Sequence, residues 1–325
     1  MDRLSALVDG FLASTHSDAV DALRAFFLFG ACTVLTLNLF APLRSRFITY
    51  GARAASSSTT AETQKPSSND TKTSLITRAL NFLQSLQVPH SYFTQFYVVS
   101  ILSSIFWLAQ LLLRGSMFQA ITARISPEHL QSSMSVNQAM LCWVLMVVHS
   151  SRRLAECRLF SKPSASRMWF VHWVLGISFY LAATVAIWIE GAGALRSHEL
   201  TLDHVKITNA PSLRTFICLP LFLLASGLQH DCHHYLFSLK KYTLPTHPLF
   251  NMIVSPHYTA ECGIYLSLAF LAAPSGEMVN KTLLSCLAFV AVNLGVTAGI
   301  SKEWYMQKFG EDSVRGKWKM IPGTY

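Results

Sequence analysis

The chain has 325 residues, 51% of them hydrophobic and only 13% charged, against about 25% charged in an average soluble domain. That deficit excludes an ordinary soluble enzyme and implies an integral membrane protein. The formal charge of +9 is dispersed between apolar segments rather than gathered on one soluble module, so no nucleic-acid partner is expected.

The N-terminus carries Asp2, Asp9, Asp18 and Asp21 before the first apolar run, and no small-residue cleavage site follows a basic start. A cleaved signal peptide is therefore not expected. Apolar runs at about residues 22–41, 93–113, 136–149, 168–189, 213–228, 258–273 and 283–300 predict an all-α integral membrane protein with seven transmembrane helices. Several runs are shorter than the roughly 20 residues an isolated span needs, which places their ends against protein or a polar cavity. Residues 51–74, rich in Ser, Thr and Ala around Pro66, have no hydrophobic period and read as a flexible cytoplasmic loop. No internal repeat or second domain is visible, so residues 1–325 form one membrane domain. Lys and Arg concentrate in the connections after the first, third and fifth helices and in the tail. The positive-inside rule then puts the C-terminus in the cytoplasm and the N-terminus on the other side. All the polar motifs consequently fall at cytoplasmic helix ends, which predicts a cofactor cavity on that side.

Four motifs carry the polar chemistry. In His149-Ser150-Ser151-Arg152-Arg153-Leu154-Ala155-Glu156, an ion pair can hold one guanidinium while another donor points into the bundle; guanidinium forks suit phosphate oxygens. The alternative is a positive-inside anchor. In Gln229-His230-Asp231-Cys232-His233-His234, continuing to Lys240, Gln229, His233 and Lys240 fall near one helical face. The HxxHH pattern also resembles one box of the membrane di-iron enzymes, but the other histidines build no second box and no metal is expected. Seven cysteines, an odd number without a CxxC pair, add neither a disulfide framework nor a zinc site. In NMIVSPHYTAECG, Ser255-Pro256 opens a helix on which His257, Glu261 and Tyr265 recur four apart. A carboxylate at the mouth of an apolar segment is costly unless paired or working. The tail repeats the basic and aromatic theme with Lys302, Trp304, Tyr305, Lys308, Arg315, Lys317 and Trp318, a pattern that also suits an interfacial belt. No GxGxxG or Walker loop is present, so a nucleotide would sit inside the helical bundle.

The ordered segments VPHSYFTQFYVVS (88–100), VHSSRRLAEC (148–157), LQHDCHH (228–234), IVSPHYTAE (253–261) and SKEWYMQKF (301–309) resemble the steroid 5-alpha-reductase family, most closely its polyprenol reductase branch, fungal members included. The resemblance runs from about residue 88 to the end of the chain. It implies a seven-helix endoplasmic-reticulum enzyme that uses NADPH to saturate a double bond conjugated to a carbonyl, with residues 213–325 as the cofactor-binding half. Carried over by position, Arg153, Gln229, His233, Lys240, His257, Glu261 and Tyr305 match cofactor-binding positions. Arg152, Tyr258, Lys302 and Arg315 from the same motifs complete the expected set. Departures from the family pattern are His257 for Asn, Lys240 for Arg, Lys302 for the His of the polyprenol branch, and a tail ending PGTY. Ser150 replaces the Tyr that steroid enzymes place at their ketone, and their Gln-Glu pair before a proline on the second helix has no counterpart, which counts against a steroid substrate.

Hydride addition needs an electron sink, and an α,β-unsaturated aldehyde provides one on its carbonyl oxygen whereas an allylic alcohol does not. The expected reaction is thus polyprenal to dolichal, in dolichol synthesis for protein N-glycosylation. Tyr97 is the expected catalytic donor, because a phenol can hydrogen-bond an oxyanion without carrying charge into the membrane; an interfacial aromatic is the plain alternative. The expected partners are a long polyprenoid lipid and the membrane, with no obligate protein partner. Rival functions are a steroid reductase, a trans-2-enoyl-CoA reductase, an isoprenylcysteine methyltransferase-like enzyme and a non-enzymatic membrane scaffold.

Overall fold

The computed structural model describes residues 2–47, 75–162, 166–200, 212–240 and 242–325; the loop expected over residues 51–74 lies outside them. The longer helices are α1 (Asp2–Ser14), α2 (Ala19–Leu39), α3 (Phe93–Leu112), α4 (Val136–Leu159), α5 (Phe170–Ala186), α6 (Leu213–Ser238), α7 (Pro256–Leu271) and α8 (Lys281–Phe309). Local chemistry sets several ends. Asp18 caps α2 by accepting Asp21 N at 2.9 Å. Ser135 and Gln138 form a reciprocal capping box on α4. Pro256 sits in the first turn of α7, where its missing N–H costs nothing. Gly310, at φ 87°, ends α8 in a conformation that favours glycine.

Seven of these helices coincide with the seven apolar runs, but α4, α6 and α8 continue well past them. In α4 the reason is visible: Arg152 and Arg153 both pair with Glu156, four and three residues on, which steadies a polar final stretch. The polar motifs that begin at His149 and Gln229 are therefore the last turns of α4 and α6, projecting side chains at helical spacing.

Among the described residues, five helical segments are long and apolar enough to cross a membrane: Ala19–Leu39, His90–Leu112, Phe170–Ser197, Leu213–Ser238 and Lys281–Phe309. Two of the expected seven fall short of that standard. α7 has 16 residues, and α4 gives its final turns to Arg152, Arg153, Glu156 and Arg158.

α6 lies along α7, both α2 and α7 lie along α8, and α3 packs between α4 and α5. Aromatic pairs tie the layers, with Phe179 stacked on Phe289 at 5.2 Å and Trp107 against Trp188 at 5.0 Å. Gly176 of α5 permits close approach to α3, since a Cβ there would fall 2.5 Å from the Phe96 ring.

One detail departs from an all-helical reading. β1 (Gln87–Pro89) and β2 (Arg167–Trp169) form a two-stranded antiparallel sheet with Val88 opposite Met168. Three-residue strands have no period to read, yet this pair fixes the start of α3 beside the start of α5. A second staple comes from the tail. Trp318 N donates to Met252 O at 2.8 Å, Val254 N to Trp318 O at 2.8 Å and Ser255 N to Lys319 O at 3.1 Å, while Thr259 Oγ1 donates to Met320 O. These bonds hold the first turn of α7, where His257 and Glu261 begin.

Candidate functional site

The start of α3, the end of α4, the end of α6 and the start of α7 converge at one end of the bundle. At their centre is Glu156, 3% exposed. Its Oε1 accepts Arg152 Nη1 at 2.5 Å and His230 Nδ1 at 2.8 Å. Its Oε2 accepts Arg153 Nη1, with His233 Nδ1 2.8 Å away. A carboxylate this deep is tolerable only with such a donor set. His233 Nδ1 also lies 2.7 Å from Arg153 Nη1; when that nitrogen carries the proton, it donates to Glu156.

From this hub two arms extend. Arg152 Nη2 donates to Gln229 Oε1 at 2.6 Å, and Gln229 Nε2 donates to Glu261 Oε2 and, at 3.4 Å, to His257 O. Beyond it, His149 Nε2 is 3.3 Å from Glu261 Oε1, close enough for ion pairing but outside hydrogen-bond geometry. The other arm is Arg153, whose Nε and Nη2 donate to Tyr97 Oη at 3.1 and 2.9 Å. Tyr97 is 3% exposed, so a buried phenol oxygen is gripped by a guanidinium, leaving its own O–H to point elsewhere.

Two cavities flank this cluster and share Phe93, Arg153 and His233. The inner cavity, about 170 Å³, is walled by apolar residues of α3, α5 and α8, with Tyr97, Tyr180, Gln229, Tyr258, Glu261 and Tyr265 among its polar groups. The outer one, about 920 Å³, has His90, Ser91, Thr94, Glu156 and Lys162 among its polar lining groups, beside Phe160 and Phe237. Guanidinium, imidazole and ammonium groups around a wide opening suit an anionic cofactor, and the Gln229–Glu261 pair suits an amide. The residues present thus fit an anionic cofactor that carries an amide group.

Of the residues singled out by sequence, Tyr97, Arg153, Gln229, His233, Tyr258 and Glu261 line the inner cavity, with Arg152 bonded into the same cluster. His257 adjoins it, its ring 5.5 Å from that of His233 and 4.2 Å from that of Tyr258. The remaining four line neither cavity. Lys240 follows Leu239, whose carbonyl accepts Lys162 Nζ at 2.7 Å, and so stands beside the outer opening. Lys302 Nζ donates to Lys317 O at 2.6 Å. Tyr305 packs with Trp304 and Phe309. Arg315 is exposed and paired with Asp312 at 3.0 Å.

The histidine motif does not converge on a point: His230 and His233 turn to Glu156, and His234 packs against Phe160. Among the described residues, metal-ligand atoms come together only in Asp18, Asp21 and His129, and these already bond to neighbouring groups. Sequence reasoning treated Glu156 as a mere partner of arginine and passed over Lys162, Tyr180 and the cavity role of Tyr265. Its one usable signal was helical spacing, since Tyr265 lies four residues after Glu261.

A buried arginine–carboxylate cluster opening onto an apolar cavity, inside a bundle of membrane-length helices, defines a multi-pass membrane enzyme acting on a lipid-soluble substrate. Residues 177–325 match the family described as 3-oxo-5-alpha-steroid 4-dehydrogenase. The chain is 28% identical to polyprenal reductase 1 of Arabidopsis thaliana over 275 residues, covering 74% of this chain and 83% of that one. It is likewise 28% identical to polyprenal reductase of Xenopus laevis, covering 74% and 79% of the two chains. Against polyprenal reductase of Saccharomyces cerevisiae the identity is 26% over 294 residues, covering 90% of each. The C-terminal part of the chain thus matches the steroid 5-alpha-reductase family that the motif order implied, and the protein is an oxidoreductase of carbon–carbon double bonds.

Proposed function

We propose that this protein is an NADPH-dependent polyprenal reductase, which saturates the α double bond of a long polyprenoid aldehyde to give dolichal in the pathway to dolichol for N-glycosylation. The observation that carries this reading is Tyr97, held by Arg153 where the polar cluster meets the apolar cavity. The similarity to polyprenal reductases supports the substrate class. The protein then resides in the endoplasmic-reticulum membrane as a single domain, with α4 and α7 completing seven transmembrane segments and the C-terminus and outer cavity facing the cytoplasm. α4 and α7 can be short or polar because their ends meet the site rather than lipid.

NADPH, when bound, supplies the hydride. The chain's own groups do the rest. Lys162, Arg153 and Lys240 would offer positive charge for phosphates around the outer cavity, with His90 as a further hydrogen-bonding group, while Gln229, Glu261 and the His257 carbonyl would hold the carboxamide and ribose. Arg153 has a second role, gripping the Tyr97 oxygen. A guanidinium there favours negative charge on that oxygen and makes Tyr97 a stronger hydrogen-bond donor to the substrate carbonyl, on which charge builds as the β-carbon is reduced. The apolar wall from α3, α5 and α8 holds the isoprenoid tail.

The test uses purified full-length protein in detergent. NADPH at 100 times its dissociation constant should stabilise it against heat by about 2.7 kcal/mol; protection by S-adenosylmethionine instead would overturn the reductase reading. Turnover is then compared for defined polyprenal and polyprenol. Efficient saturation of the alcohol, with no aldehyde-forming step available, would sink the aldehyde as direct substrate.

A further inference from the structure

Four phenols line the inner cavity: Tyr97, Tyr180, Tyr258 and Tyr265. The first has its oxygen occupied by Arg153, and the Tyr180 ring stands edge-on to it at 5.4 Å. Tyr265 differs. Its side chain is fully buried on α7, its ring contacts Phe179 and His149, and its hydroxyl meets no hydrogen-bond partner among the described residues. Burying a hydroxyl without a partner is unfavourable, and phenylalanine would give the same packing without that cost. Among the described residues, His149 Nε2, Trp188 Nε1 and Ser226 Oγ also lack a hydrogen-bond partner, but unlike Tyr265 these residues line neither cavity.

Its position narrows the ligand. Tyr265 lies four residues beyond Glu261 on the same helix, about 6 Å along the axis, towards the apolar part of the cavity. We propose that Tyr265 is a second catalytic hydrogen-bond donor, whose O–H binds the carbonyl oxygen of the substrate beside Tyr97. This inference rests on the enal-reductase reading above. The β-carbon gains a C–H bond from the NADPH hydride, and the alkene pair shifts to the bond between the α-carbon and the carbonyl carbon. The carbonyl π pair moves onto oxygen, so the substrate is reduced and the nicotinamide oxidised. Two phenols then share the enolate charge until the α-carbon takes a proton from water. A pair of donors aimed at one developing oxyanion is stronger than one, and because they are neutral they suit an apolar site.

The experiment is Tyr265→Phe in purified full-length protein, read by kcat on polyprenal, the NADPH dissociation constant and the ligand-free Tm. We expect kcat to fall about 10²- to 10³-fold, as for loss of one oxyanion donor. NADPH affinity should stay within about twofold, and Tm should be equal to or above that of the wild type because an unpartnered buried hydroxyl has been removed. A kcat within about threefold of wild type overturns the proposal, as does a loss of NADPH affinity that matches the loss in kcat. The second measurement is the double variant with Tyr97→Phe: a further drop of about tenfold or more supports the second donor, and equality with Tyr97→Phe alone rejects it. A wild type neither protected by NADPH nor active on polyprenal defeats the functional reading itself. A fully active wild type with an indifferent Tyr265→Phe defeats only this inference.

Discussion

The two ends of the bundle both bury charge, and they use it differently. At the end opposite the cavities, Glu190, 4% exposed, accepts Arg24 Nη2 at 2.9 Å, Thr282 N at 2.7 Å and Thr282 Oγ1 at 2.5 Å. Beside it, Asp18 accepts His129 Nδ1 at 2.6 Å and the Ser126 amide at 2.8 Å. This network ties α2, α8 and the segments around residues 126 and 190 together, and none of its residues lines the inner or the outer cavity. At the Glu156 end the carboxylate is equally well supplied, but the arms of the cluster run outward to Tyr97, Gln229 and Glu261 on a cavity wall. Paired buried charge is weak evidence of stability on its own. What distinguishes a working cluster here is that its outermost groups face space.

The two ends therefore respond to mutation along different axes. The largest effect is expected from Glu190→Ala, which strands Arg24 and should cost about 3–5 kcal/mol of stability. Thermal unfolding would show it, while protein that remains folded should keep wild-type kcat; a parallel fall in kcat would mean the ends are coupled. Next, Tyr97→Phe should lower kcat about 10²- to 10³-fold with Tm and NADPH protection unchanged, and full turnover would remove Tyr97 from the reaction. Glu261→Gln should weaken NADPH binding about tenfold, consistent with a hydrogen bond to a charged group being worth about 1.5–3 kcal/mol. Unchanged affinity in a heat-protection titration would return Glu261 to packing. The smallest effect is a pH dependence. Burial works against the charge of Asp18, but the bonds from His129, Ser126 and Asp21 outweigh it and hold its carboxyl below the usual range. A depressed folded value means the stabilisation is present above the unfolded pKa, about 3.9, and is lost as pH falls through the folded value. Tm should therefore drop at acid pH in the wild type and drop less in Asp18→Asn; identical slopes would show that Asp18 makes no contribution.

How much of this was readable from residues follows from length scale. Apolar runs of 14 or more residues become helices, because burial of a long apolar stretch dominates local preference. The polar turns after residues 149 and 228 also stay helical, and only i,i+4 pairing such as Arg152 with Glu156 hinted at it. Within the site, Gln229, His233 and Glu261 stood out because polar residues near an apolar run are conspicuous. Tyr180 and Tyr265 did not, since a tyrosine inside an apolar helix looks like packing until a cavity appears beside it. Lys162 looked like one more positive residue of a connection, and its place on the outer cavity depends on α4 and α6 meeting. The network of Asp18, His129 and Glu190 joins residues more than a hundred positions apart, beyond any periodicity.

Arg153 lines both cavities and is also the group that grips Tyr97. Charge arriving in the outer cavity therefore reaches the phenol through a single side chain, with no intervening water or helix movement required. On the function proposed above, an anionic ligand held by Arg153 would set the donor that then receives the lipid.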